Sequence, residues 1–242
     1  MGKGETPHPL ARRILTAHGV LGLMFITLAV AKPRIHKAKT DLQEILQRMN
    51  DTAKRLKTVT ADLDYTTVTV LVNDRSTETG EFYLRNPKNP EMLIQFEKPD
   101  PKTILFRKNE AEIYYPKMNR IEQYDLASHS GLVQHLLLLG FGTDEGNLKS
   151  AYNVKLVGEE QLEGEDTAVL EFTPKDPAIA SQLTKIQMWV SEDSWTPAQQ
   201  QFFEPSGDYL IARYTGVKIN RTLSSSTFEI NAAKGVQRVK KS

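Results

Sequence analysis

Beyond residue 31 the histidines are His36, His129 and His135. A histidine that acts as a base or a metal ligand needs a partner group beside it. His129 and His135 flank a leucine-rich run with no acidic residue in register between them. Six positions apart, they do not share a helix face, and no H-E-x-x-H spacing occurs. Both read as polar helix residues, and His36 falls at the start of the chain. There is no G-x-S-x-G nucleophile elbow. Gly140-Phe141-Gly142 with Gly146 has the glycine content of a phosphate loop, but Lys149-Ser150 stands at the wrong distance and no strand feeds it. The absence of cysteine excludes disulfides, thiolate chemistry, cysteine-ligated zinc and a lipid-modified cysteine. Carboxylates are plentiful, mostly in turns and at outward strand positions, so a hydrolase using two distant carboxylates is the catalytic alternative left open. The expectation is a protein that is not an enzyme, with no metal and no cofactor.

The elements that would position a binding surface are clearer. Gly80 to Pro116 reads as four short strands separated by turns. Phe82 and Leu84 alternate with Glu81, Tyr83 and Arg85, and Met92, Ile94 and Phe96 alternate with Leu93, Gln95 and Glu97. Ile104 and Phe106 follow the Pro99-Asp100-Pro101 turn, and Ile113 and Tyr115 follow Lys108-Asn109. Period-2 alternation gathers each apolar set on one strand face, and Pro and Asn supply the turns. The expected product is a sheet that curls and turns one apolar face to a ligand.

Around this stretch the chain reads in order. Arg12 and Arg13 precede the apolar run Val20–Ala31, which ends in Ala29-Val30-Ala31, an A-x-A cleavage signature. Residues 1–31 are therefore expected to be a secretory signal, with Lys32 the mature N-terminus. The alternative is an uncleaved inner-membrane anchor through residues 14–31, although the run is short for a span. Ala38–Lys57 predicts a helix, with Thr40 and Gln43 as a capping box and Leu42, Ile45, Leu46, Met49, Ala53 and Leu56 as one apolar stripe. Thr60–Val72 predicts a long strand. From Asp125 to Tyr152 the β pattern breaks, and Leu132, Val133 and Leu136–Leu139 form a glycine-flanked helix that is either core or a lid. Hairpins resume from Asn153, with Thr227–Ile230 expected as a last short strand. Residues 32–242 form a single domain with no linker.

Lys3, Glu5, Arg12 and Arg13 lie in the leader; without them 28 basic and 29 acidic residues remain of 31 and 30. That balance gives no support for a nucleic-acid partner. The locally basic tail Lys234–Lys241 reads as a solvated end.

The sequence also resembles a known family. Gly80–Pro87, EKPD at Glu97–Asp100 and YYP at Tyr114–Pro116, followed by KIQMWV at Lys185–Val190, FFEPSGDY at Phe202–Tyr209 and STFEI at Ser226–Ile230, are similar to the LolA-type periplasmic lipoprotein carriers. The resemblance extends from about Asp41 to Lys241. It implies a mainly β, α+β fold: a large curled antiparallel sheet forming an incomplete barrel, with an N-terminal helix and a short helical lid over an apolar cavity. It implies a periplasmic monomer that shelters the acyl chains of lipoproteins, receives them from an inner-membrane ABC transporter and gives them to an outer-membrane receptor. A lipid- or lipoprotein-sensing regulator of the same fold is the alternative. The expected cavity lining is Phe82, Leu84, Met92, Ile94, Phe96, Ile104, Ile113 and Tyr115, with Leu132, Leu136 and Leu137 from the lid. The family's lid-locking arginine precedes a proline; Asn86 stands there, and Arg85 one step earlier replaces it only if a bulge re-aims it.

Overall fold

The computed structural model describes residues 40–86, 89–107, 109–126, 139–142 and 145–241. Residues 1–39, which hold the expected signal segment, and residues 127–138 of the leucine-rich segment lie outside these.

A twelve-stranded sheet organises the described chain, in the order β12-β6-β5-β4-β3-β2-β1-β11-β10-β9-β8-β7. The strands are β1 (Thr58–Thr69), β2 (Asp74–Arg85), β3 (Glu91–Lys98), β4 (Lys102–Arg107), β5 (Glu110–Tyr115), β6 (Arg120–Asp125), β7 (Tyr152–Leu162), β8 (Glu165–Pro174), β9 (Lys185–Ser191), β10 (Pro197–Phe203), β11 (Tyr209–Ile219) and β12 (Gln237–Lys241). Neighbours are antiparallel except β12, which lies parallel to β6. The outermost strands β12 and β7 do not meet, so the sheet is an incomplete barrel.

One long helix, α1 (Leu42–Arg55), lies on the inner face. Its stripe places Ile45, Leu46 and Met49 in the main core, nearly devoid of solvent, and each such side chain stabilises the fold by about 2 kcal/mol. The N-cap is Asp41, whose carboxylate accepts from the Glu44 amide at 2.8 Å, one position beyond the Thr40 cap expected from the sequence. The Asp carboxylate is the better acceptor and also faces the positive end of the helix dipole. Among the described residues two shorter helices follow, α2 (Glu145–Ala151) and α3 (Pro177–Ala180). Leu148 of α2 is buried in the same core.

Three expectations are corrected. The strand expected over Thr60–Val72 ends at Thr69, and Val70–Val72 form an exposed 3-10 turn closed by Asn73 in the left-handed region. The last strand is not Thr227–Ile230. Ser225–Phe228 is a 3-10 turn, capped by the Ser224 hydroxyl accepting from the Ser226 amide. Its Phe228 docks on Leu93 and Leu105, on the opposite face of β3 and β4 from α1. The basic tail is exposed, as a solvated end would be, but it is not a loose end. Gln237–Lys241 is β12, tied to β6 and β5 by Lys241 beside Glu122 and by Arg238 to Glu112.

The outer docking explains why β3 and β4 carry the consecutive apolar runs Met92-Leu93-Ile94 and Ile104-Leu105-Phe106. Both faces of these strands are covered, and a strand covered on both faces has no side that must be polar.

Candidate functional site

The register places the expected lining on one surface. Ala61, Phe82, Ile94, Ile104 and Ile113 are successive cross-strand neighbours on β1 to β5. A second row runs Val59, Leu84, Met92, Phe106, Ala111 and Tyr124 across β1 to β6. Phe96 stands opposite Gly80 and Lys102 in the next row. Phe82, Leu84, Met92, Phe96, Ile104 and Ile113 are buried in the main core, and Ile94 and Tyr115 pack against it half-buried. All the expected lining residues on the strands therefore share the inner face. Leu132, Leu136 and Leu137 lie outside the described residues.

Gly80 makes this surface continuous. A register shift separates Thr79 from Gly80 on the β3 side, and the β3 backbone comes so close that a Cβ on Gly80 would stand 1.9 Å from the Gln95 carbonyl oxygen. No side chain fits there.

Beside α1, the inner face is covered by residues from far along the chain. Leu139 and Phe141 are fully buried over it. The Phe82 ring centroid lies 5.3 Å from that of Phe141 and 5.3 Å from that of Tyr214, and Phe141 is 5.0 Å from Tyr214. The Gln200 side chain donates to the Leu139 carbonyl at 2.8 Å and accepts from the Tyr214 hydroxyl at 3.0 Å. This buried chain fixes the segment's backbone to the floor of the sheet. Gly140 has φ +83, and a Cβ there would stand 2.6 Å from Pro197. Burial pushes the Tyr214 hydroxyl above its ordinary range, so it stays a neutral donor.

The face is bounded by charge at two places. Lys102 and Glu78 form a buried ion pair at 2.7 Å, and the Lys102 ammonium also stands 4.7 Å from the Phe96 ring centroid. At the β12 edge, Glu122 is buried beside Arg120 at 2.8 Å and Lys241 at 3.4 Å, and it accepts from the Tyr124 hydroxyl at 2.7 Å. Burial raises the Glu122 pKa, but the Tyr124 hydrogen bond and the Lys241 and Arg120 charges outweigh it and leave the carboxyl below its usual range.

The two lid-locking candidates sit elsewhere. Arg85 pairs with Glu91 and lies over the Phe228 ring at 4.3 Å, on the outer face. The register shift of this strand pair is at Thr79/Gly80, away from Arg85, so it does not re-aim the guanidinium. Asn86 is exposed, takes φ +50 and donates its amide to the Lys57 carbonyl, as suits an asparagine closing a turn.

Phe141, Gln200 and Tyr214 are not among the residues expected from the sequence. The glycines around Phe141 mark a backbone constraint, but nothing local says what that residue faces. A separate cleft of ≈ 320 Å³ opens between the β7–β8 and β9–β10 turns and β11, lined by Leu162, Ser191, Ser194, Thr196, Arg213 and Val217 among others, and holds none of the expected lining residues. Among the described residues, no group of histidine and acidic side chains is placed to hold a metal ion, and no helix is long and apolar enough to cross a membrane.

A family model described as "Uncharacterized protein" matches residues 88–222, more than half of the chain. No curated protein matches the sequence. Among solved structures, an uncharacterized conserved protein from Thermus thermophilus is 13% identical, with 82% of this chain and 98% of that chain covered at TM-score 0.53. MucB is 17% identical at TM-score 0.50, with 78% of this chain covered and only 62% of MucB's own length. A LolA superfamily protein from Nitrosomonas europaea is 15% identical, with 78% and 97% covered at TM-score 0.37. Identities this low speak to fold and not to activity. Its open, mainly antiparallel sheet with a long helix on the inner face is similar in fold to the Thermus thermophilus protein and to MucB, and the chain belongs to the family whose model spans residues 88–222.

Proposed function

We propose that the inner face shelters acyl chains and that the protein is a periplasmic carrier of acylated lipoproteins between the inner and outer membranes. The observation that carries this reading is the unbroken apolar surface from β1 to β5, holding Phe82, Leu84, Met92, Ile94, Phe96, Ile104 and Ile113. Among the described residues it is covered by α1 and the Leu139–Phe141 segment.

An exposed acyl chain costs about 0.8 kcal/mol per CH₂ in water, so a lipoprotein crosses an aqueous space only inside an apolar host. Here the lining is covered by Phe141, Tyr214 and α1, so cargo enters by displacing the Leu139–Phe141 segment. The aromatic contacts and the Gln200 bond set the cost of opening, and they re-form on release. A ligand shifts such an equilibrium only by its differential affinity for the open form. The resemblance supplies the partners, an inner-membrane ABC transporter as donor and an outer-membrane receptor as acceptor. The mature protein is then periplasmic and binds without catalysis.

Mass spectrometry of the protein purified from its native envelope tests this. Co-purifying acylated lipoprotein is the expected result, and a chain that emerges empty ends the reading. Ile94 is half-buried, so Ile94→Asp tests the face with the least damage to the fold. It is expected to abolish cargo release from inner-membrane vesicles while the protein still unfolds cooperatively.

A further inference from the structure

Among the described residues, the four most exposed large apolar side chains gather on two turns. Val70, Leu71 and Val72 are 52%, 93% and 67% exposed on the turn between β1 and β2, and Met118 is 53% exposed on the turn between β5 and β6. Each turn is a 3-10 turn ended by an asparagine in the left-handed region, Asn73 and Asn119. The β1–β2, β3–β4 and β5–β6 turns all lie at the same end of the sheet, because intervening strands alternate in direction.

The exposure of the first tip is built in. The Val70 amide donates to the Asp208 carboxylate at 2.8 Å, and Asp208 belongs to the turn between β10 and β11 at that same end. Below the tip, Tyr209 pairs across the strands with Val68 and stacks 5.8 Å from Phe203. An apolar apex above half-buried aromatics matches the layering of a membrane interface, with aliphatic tips deeper and aromatic rings at headgroup level.

We propose that this end of the sheet docks on a lipid bilayer, with Leu71 entering the acyl region and Met118 meeting the same surface. Two features favour a bilayer over a groove on a protein. The apolar tips are separate protrusions with the polar Pro99-Asp100-Pro101 turn between them, and a flat partner reaches both where a groove takes one. The charges beside them are also of mixed sign: Asp74 and Asp208 stand with Arg75 at the first tip, and Lys117 is paired with Asp100 at the second, so neither tip carries a cationic patch. Docking is thus driven by apolar insertion and does not select anionic lipid. This site is distinct from the inner face, and it stands whether or not that face holds acyl chains.

The chain has no cysteine, so one introduced thiol labels cleanly. Leu71→Cys carrying an environment-sensitive fluorophore is mixed with phosphatidylcholine vesicles, beside Val157→Cys, which places the label on the half-exposed edge strand β7. The expected result is a blue shift and quenching by acyl-chain spin labels at position 71, neither at position 157, and no change on raising the salt about tenfold. In a separately labelled Met118→Cys protein, Leu71→Asn is expected to weaken vesicle binding about tenfold or more. A water-like signal at position 71, a signal needing anionic lipid and lost in salt, or equal shifts at both positions overturns the proposal. Because the label reports only the tip, its failure is separate from failure to find lipoprotein on the inner face.

Discussion

The two faces of β3 and β4 are both buried, but by different means. On the inner face, residues from strands throughout the sheet join α1, Leu139 and Phe141 in one large cluster. On the outer face, Leu93, Leu105 and Phe228 form a small buried cluster, with Tyr83, Leu223 and Ile230 beside them. The outer cover is a single returning segment, held by Arg107 donating to the Phe228 carbonyl and by Tyr114 accepting from the Ala233 amide. The inner face is therefore the fold's main apolar store and the outer one a clasp. The comparison teaches that burial alone does not mark a binding surface: Leu93 and Leu84 are equally hidden, yet only Leu84 belongs to the broad surface.

The sharpest way to break the comparison is Phe82→Ala. Phe82 touches both Phe141 and Tyr214, and its loss is expected to cost about 4 kcal/mol in urea unfolding. Phe228→Ala follows, at about 3 kcal/mol. Its signature is local: faster amide exchange through residues 224–241 with little change in β2 and β3. Equal exchange everywhere would mean the clasp and the main core are one cooperative unit.

Gly80→Ala is expected to cost about 2 kcal/mol, because the new methyl meets the Gln95 carbonyl and the β2–β3 pair must shift. A variant as stable as the parent would show that the bulge has room to relax. Acid provides a smaller, local test at the sheet edge. Folding lowers the Glu122 pKa, so its contribution is complete above the ordinary glutamate value of 4.5 and is lost as pH falls below it. Amides of Gln237–Lys241 should lose protection in that window ahead of the rest of the sheet. Glu122→Gln should remove the pH dependence. The smallest effect belongs to Leu71→Asn, within about 0.5 kcal/mol of the parent in thermal unfolding, since that side chain contacts mainly solvent.

The strands from Gly80 to Pro116 are legible in the sequence because each alternates and ends in Pro or Asn turn chemistry. The α1 stripe is legible for the same kind of reason, although its cap falls one residue beyond the expected one. The 3-10 turn at Val70–Val72 is not. Val, Leu and Val have the residue types of a strand, and nothing local says that the hairpin must close there. Phe228 reads as strand because its neighbourhood is β-prone, and its docking partner lies more than a hundred positions earlier in sequence.

The sequence by itself determined the periodicities, the turns and therefore which side chains share a strand face, because these depend on φ, ψ and a two-residue repeat. Only the tertiary structure decided that Phe141 covers Phe82, that Gln200 holds the Leu139 backbone, that Arg85 faces away from the inner surface and that the last strand lies parallel to β6. Those are contacts between segments far apart in the chain. Shape and backbone hydrogen bonding select them, and neither is written in the local pattern of residues.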